Sequence, residues 1–378
     1  MIITYFRSSS LGNWSYCQHQ YFMNYVLGQP TSTSHKAKLG TCVHKILECL
    51  GNIKKYIQDN NIGPTDEFVY DEDNELGSIT IDMKFWLVEQ KLSDDQILKI
   101  NRTRRSKDKY KHPCELKSGD IRRDPQFVET IINNIYDYYS EDYWAPVDFK
   151  DVTNWTWMAL EYLDGEFDPR MRDIIEAEPY FDIEIAHDWA AYDYIIQGEK
   201  VAGQLSIKGT IDLITHVGDG IYEIVDWKTG QRRNWAKNKE KKYDDLERDV
   251  QLMLYYYASK HLFPEAKQII VTIFFVRDGG PYTICFDENS AKQMEASLRA
   301  RFEEIQGCEI PKMLDSRHVD FRCKRLCSYY KAQSPQPGVN MCDFIHKELH
   351  QIGMDKVVDK YTVPGHSVHK YHSPGEKK

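Results

Sequence analysis

Apolar residues at Val43, Ile46, Leu47 and Leu50 recur at i, i+3, i+4, i+7, the spacing of one buried helix face, and predict a helix over 36–50. A second amphipathic helix is predicted from "DPQFVETIINNIYDYY", with Asp124 as N-cap and Pro125 at the first helical position. From about residue 180 the period shortens to two. "PYFDIEIAH", "YDYIIQGE", "LSIKGTIDLITHV", "GIYEIVDWK", "QIIVTIFFVRD" and "YTICFD" all read as strands. Helical patterns at 246–260 and 289–307 interrupt and follow them. A strand cluster with helices around it, preceded by a long helical stretch, predicts an α/β or α+β core with a helical insertion. The expected organisation is an aromatic-rich arm at 1–35, a helical region at 36–180, a core at 181–308, a cysteine-bearing segment at 309–345 and a polar tail at 346–378. No internal repeat is visible.

Two of the strands carry acids where alternation predicts a packed face. "KGTIDLITHV" and "GIYEIVDWKTG" flank "GDG", a turn sequence, and so read as a hairpin. With residues 218–220 as the loop, Val217 pairs with Ile221 and Asp212 falls opposite Asp226. Asp226 and Lys228 share a strand face with Ile224. Two facing carboxylates repel each other unless something positive lies between them. A hard divalent cation such as Mg²⁺ takes oxygen ligands and removes that repulsion. A lysine beside such a cation can position a water or stabilise charge growing on a phosphate. The alternative reading is an exposed hairpin with ordinary surface charges.

The composition narrows the partners less than it first suggests. A formal net charge of −9 argues against nucleic acid, but binding depends on local patches. Two basic runs exist, "NRTRRSKDKYKH" at 101–112, followed by Arg122 and Arg123, and "QRRNWAKNKEKK" at 231–242. Each reads as a solvated loop on charge alone, and the second directly follows the acidic hairpin. No apolar run is long enough to span a bilayer and "MIITYFRSSS" is no secretory signal, so a cytoplasmic protein is expected. Nine cysteines then need a role other than disulfides. Cys42, Cys49, Cys114, Cys285 and Cys308 are scattered and read as small hydrophobes.

In order along the chain, "GTCVH", "GTID", "DWKTG" and "QLMLY" resemble the motifs of the PD-(D/E)XK nuclease superfamily, in its RecB-like branch. The resemblance implies a restriction-endonuclease-like central mixed sheet flanked by helices. It implies that Asp212 and Asp226 bind Mg²⁺ or Mn²⁺, with the Trp227 backbone carbonyl and His44 as further ligands. Lys228 would serve the nucleophilic water, and Gln251 and Tyr255, four apart on one helix face, would line the site. Glu184 in "FDIEIAH" is expected as a second acidic ligand or an orienting residue.

"SSSLGNWSYCQHQYF" resembles the N-terminal element of the iron–sulfur members of that superfamily, which include the AddB nuclease domain and CRISPR-adaptation exonucleases, with Gln18 in place of a proline. By this resemblance Cys17, Cys323, Cys327 and Cys342 hold a 4Fe–4S cluster that clasps the two ends of the chain. Zinc has the same ligand count. The family's common C-terminal spacing of two and then five residues is replaced here by three and then fourteen. The implied function is a metal-dependent DNA nuclease, more an exonuclease than an endonuclease, acting on DNA ends or single strands in a bacterial cell or phage-infected host. Recombination, repair or genome degradation is the implied setting. Tyr110, Trp235 and Tyr243, near the basic loops, could stack on unpaired bases, although singly each reads as a packing residue. No G-x-x-x-x-G-K-[ST] phosphate loop is present, so any helicase or recombination partner would be another chain. The competing readings are an inactive DNA-end or partner-binding module of the same fold, and an unrelated zinc-stabilised α/β protein.

Overall fold

The computed structural model describes residues 1–104, 115–196, 199–234, 239–278, 280–315 and 319–366. Its longer helices are α1 (His35–Asp59), α2 (Asp94–Arg104), α3 (Pro125–Tyr139), α4 (Pro146–Leu160), α5 (Val250–Leu262), α6 (Glu288–Gln306) and α7 (Met341–Ile352), with shorter helices and turns besides. Two sheets organise the core. The smaller runs β1 (Tyr5–Phe6), β4 (Ser206–Thr210), β3 (Tyr180–Glu184), with β1 parallel to β4. The larger is mixed and runs β8 (Gly280–Cys285), β7 (Gln268–Phe275), β6 (Ile221–Lys228), β5 (Leu213–Gly218), β2 (Asp173–Ala177). Within this larger sheet only β6 and β7 pair in parallel, and α5 lies in the connection between them.

The large sheet separates two apolar cores, and alternation along its strands assigns each side chain to one of them. Ile214, Ile224, Val271, Ile273 and Ile284 face one core with α5 and α6. Leu213, Val225, Trp227, Phe274 and Ile174 face the other, which is completed by α1, α3 and α4. The predicted helix face on α1 is the buried one, and the helix runs on to Asp59, well beyond the predicted end. Ser34 caps it by accepting the Ala37 N–H at 3.3 Å. A Cβ at Gly51 would sit 2.9 Å from Ala177 Cβ, so a glycine lets α1 lie close over β2. Asp124 caps α3 by accepting from the N–H groups of Gln126 and Phe127, as the sequence predicts.

Several expectations change. The run at 205–217 is two strands in different sheets, broken at Ile211 and Asp212. The large sheet begins at Asp173, inside the stretch expected to be helical. The polar tail expected from residue 346 instead continues α7 and adds a helix at Met354–Tyr361, because Leu349, Val357 and Val358 are apolar enough to bury. Cys285 is exposed rather than packed, and Cys114 lies outside the described residues.

The helical insertion is pinned by buried charge. Arg170 and Asp168 form an ion pair at 2.7 Å with side chains essentially inaccessible, and Arg170 also donates to the carbonyls of Trp86 and Arg123. Glu161 holds both Arg104 and Arg122. Removing one partner of such a pair strands the other charge out of water. Arg170→Ala is therefore expected to cost about 3–5 kcal/mol in urea unfolding, whereas exposed Arg299→Ala costs well under 1 kcal/mol.

Candidate metal and catalytic site

The hairpin of β5 and β6 closes through Asp219 and Gly220, both at positive φ, with Gly218 pairing Ile221. A bulge skips Val217, so the ladder resumes as His216↔Tyr222 and runs to Leu213↔Val225. The expected pairing of Val217 with Ile221 is thus replaced by a tighter turn plus one bulged residue. The two changes cancel, and Asp212 stands one residue beyond the ladder on the Asp226 side. There its Oδ2 accepts the Trp227 N–H at 2.7 Å and lies 3.4 Å from His44 Nδ1 on α1. Trp227 contributes backbone only, since its indole is buried in the α1 core.

Asp212 has a third neighbour. Glu178, at the kink between β2 and β3, takes positive φ and donates its N–H to the Asp212 carbonyl at 3.0 Å. One ligand atom each from His44, Glu178 and Asp212 lie within 4.8 Å of one another, the sole such trio among the described residues. This corrects the expectation for Glu184, which is exposed on β3 opposite Ser206 in the smaller sheet. Strand alternation pointed to Glu184, but the strand pair ends earlier, and the carboxylate comes from the turn before it. The available signal was "EAEPY", an acid and a proline between two strands, which marks a break where a side chain can be re-aimed.

Asp226 stands beside this trio rather than in it. Its two oxygens lie 2.8 and 2.6 Å from Lys228 Nζ, and Gln251 Nε2 donates to Oδ1 at 3.0 Å. Gln251 also donates to the Tyr255 hydroxyl at 2.8 Å, so the two α5 residues act as one support. Asp249 caps α5 by accepting the Gln251 N–H at 3.0 Å, which sets the start of that helix over the site. The Asp226 carboxylate is buried, while the Lys228 side chain keeps 31% of its surface.

The electrostatics show a site short of positive charge. Burial, joined by the charges of Asp212 and Glu48, pushes Glu178 up to about 8. Burial pushes Asp226 above the usual carboxylate range; Lys228 opposes this and Asp212 adds to it. Burial lowers His44, but the charge and hydrogen bond of Asp212 outweigh it and hold the imidazole above its ordinary value. For Asp212 itself, burial is overcome by His44, Lys228 and the Trp227 N–H, which together hold it low. One imidazole nitrogen and two carboxylates, one of them driven towards protonation by burial and its acidic neighbours, are a donor set that fits a divalent cation. Lys45, next to His44, opposes the shift of Glu178 only as the least of the named influences. Its ammonium is taken by Asp73 at 2.8 Å, Glu48 at 2.9 Å and Glu75 at 3.3 Å, which dock the 71–78 turn on α1.

Residues 121–332, more than half of the chain, match the PD-(D/E)XK nuclease superfamily. The chain belongs to that superfamily. Its members are metal-dependent nucleases, which accounts for a carboxylate, lysine and histidine cluster at the end of a mixed sheet. No curated protein matches the chain. Among solved structures, the crystal structure of SSO0001 aligns at 16% identity with a TM-score of 0.20, covering 44% of this chain and 64% of that one. The chain therefore spans less than two thirds of SSO0001.

The four cysteines of the chain ends also meet. Cys17, Cys323, Cys327 and Cys342 line one cavity of about 150 Å³. Burial pushes the thiols of Cys17, Cys323 and Cys342 above the usual range, and each also feels Cys327. Buried His19 joins the two ends, its Nε2 lying 3.0 Å from the Cys342 carbonyl oxygen. The expected basic patches are mostly spent or undescribed. Arg104 and Arg122 are paired with Glu161, Arg232 with Glu240, and Lys241 with Asp249. Residues 105–114 and 235–238, including Tyr110 and Trp235, lie outside the described residues. Tyr243 is half-exposed but donates its hydroxyl to the Thr283 carbonyl at 2.9 Å.

One contact sets the distance between α1 and β6. A Cβ at Gly40 would fall 2.5 Å from Thr229 Oγ1, and threonine is stiff at χ1. Gly40→Ala is expected to push α1, and His44 with it, off the sheet and weaken Mn²⁺ binding measured by calorimetry. Adding Thr229→Gly should recover most of that binding; no recovery would mean the helix position is set elsewhere.

Proposed function

We propose that this chain is a Mg²⁺- or Mn²⁺-dependent deoxyribonuclease that degrades DNA from ends, held in shape by a 4Fe–4S cluster at its joined termini. The observation that carries the nuclease reading is the convergence of His44, Glu178 and Asp212 beside the Asp226–Lys228 pair. His44, Glu178 and Asp212 would hold the cation, with Asp226 and the Trp227 carbonyl completing its shell. A cation there supplies Lewis-acid polarisation of a phosphodiester and acidifies the attacking water. An imidazole in the donor set favours Mn²⁺ over Mg²⁺, which prefers oxygen alone.

The remaining work falls to the chain's own groups. Gln251 and Tyr255 fix Asp226, and Asp226 holds the Lys228 ammonium in its charged form, its Nζ 2.6 Å from the carboxylate. From there the partly exposed lysine can orient water and stabilise the negative charge that builds on the phosphate.

The inactive-module reading predicts loss of one of these groups, and all are present. The decisive assay is degradation of end-labelled linear and circular DNA, single- and double-stranded, with each metal. Asp212→Asn, Glu178→Gln and Lys228→Ala should each lower the rate about a hundredfold or more, and chelation should abolish it. Glu184→Gln should leave it unchanged. Undiminished activity in Asp212→Asn would overturn the site. Cleavage of circular DNA as fast as linear would replace exonuclease with endonuclease.

For the cysteines, no three of their sulfurs lie within 4.8 Å of one another among the described residues. A tetrahedral zinc at about 2.3 Å from each sulfur would draw them closer than that. Anaerobic protein should carry about four irons and absorb broadly near 400 nm, with Cys17→Ala losing both and unfolding more easily. Zinc without iron in that preparation would end the cluster reading.

A further inference from the structure

A groove of about 580 Å³ lies in the helical insertion, between α2, the start of α3, and α4. Gln96, Lys99 and Thr103 enter it from α2, and Lys150, Thr153 and Trp157 from α4. Both sets have the spacing i, i+3, i+7, so one face of each helix is turned to the same space. Facing helix stripes normally carry apolar side chains that bury each other. Here they carry cations and hydrogen-bond donors beside apolar Leu92, Ile100 and Phe149.

Several of those groups lack a partner. The Trp157 indole Nε1 has no hydrogen-bond partner, although the residue is only 3% exposed. Thr153 Oγ1 is buried without a partner as well. A buried unmet donor is destabilising, and a bound acceptor would relieve that cost. Lys99 and Lys150 are exposed and make no ion pair among the described residues. With Arg104 and Arg122 held by Glu161, Lys99 and Lys150 face one carboxylate in the groove, Glu129, in a chain whose net charge is −9. The Arg122 guanidinium stacks on the Trp157 ring at 4.1 Å and holds the indole in place. Phe149 adds an aromatic ring to the wall.

Donors, cations and an aromatic ring select an anion with several acceptor oxygens next to a flat ring system. We propose that this groove binds a backbone phosphate of a DNA strand, with Lys99 and Lys150 on its oxygens and the Trp157 N–H donating to it. The choice of DNA over a free nucleotide rests on the nuclease reading and on where α4 leads. Trp155 of the same helix packs under Arg277 at 4.2 Å, and Arg277 donates at 3.3 Å to the carbonyl of Thr229, next to Lys228. Trp155 lies on the opposite side of α4 from Thr153 and Trp157, so the helix itself links the groove to the candidate catalytic strand.

The test uses full-length protein without divalent metal, carrying ¹⁵N-labelled tryptophan. The Trp157 indole resonance is assigned with Trp157→Phe and followed as oligothymidylate, thymidine 5′-monophosphate or thymidine is added. The resonance should move with oligothymidylate, move more weakly with the monophosphate, and stay still with thymidine. In the Lys99→Ala, Lys150→Ala double variant the shift should vanish. The log–log salt dependence of oligonucleotide binding should fall by about one for each lysine removed. A resonance unmoved by saturating oligothymidylate, or moved equally by thymidine, overturns the proposal, and so does a monophosphate that binds as tightly as the oligonucleotide. Because the readout is binding, active protein with a silent Trp157 rejects the groove alone. Inactive protein with a responsive Trp157 rejects the nuclease reading alone.

Discussion

One carboxylate oxygen holds the candidate site together. Asp212 Oδ2 accepts the Trp227 N–H at 2.7 Å and lies 3.4 Å from His44 Nδ1. It thereby ties the entry of one strand to the exit of its neighbour and to a helix from the far layer. A carboxylate can do this at low cost only because it leaves the β ladder one residue early, so its side chain is not spent on sheet packing. The same position leaves it facing Glu178 and Asp226, and the electrostatic demand that results is what a cation would satisfy.

The two apolar cores make that arrangement rigid. Strand β6 sends Ile224 to one core and Val225 and Trp227 to the other, so Asp226 and Lys228 cannot rotate away without unpacking both sides. Helices α1 and α5 approach from opposite faces of the sheet, one bringing His44 and the other Gln251. Each helix is set by a local device: a capping serine and a glycine contact for α1, and a capping aspartate for α5. Rigidity at this point is what a hydrolytic centre needs, because charge stabilisation falls off steeply when donors move.

Charge elsewhere in the molecule follows a different rule. The arginines that make the chain look locally basic are mostly buried partners of Glu161, Asp168 and Glu240. They hold the insertion in place. Among the cations left for an outside partner, lysines have flexible stems and strong hydration that suit them to surface contact with phosphate.

Short-range order was legible in the sequence. The α1 face, the Asp124 cap, the alternation of β5 and β6, and the sharing of one face by Asp226 and Lys228 each depend on neighbours within a turn or a hairpin. The family motifs extended that reading to His44 and Gln251 and to the cysteines of the two ends. Tertiary structure decided the rest. Glu178 replaces Glu184 at the site because a break in strand pairing, not alternation, aims its side chain. The turn-plus-bulge in the hairpin and the pairing of the arginines were equally out of reach. Periodicity along a chain specifies which face a residue occupies; which two faces meet is settled only by packing between elements far apart in sequence.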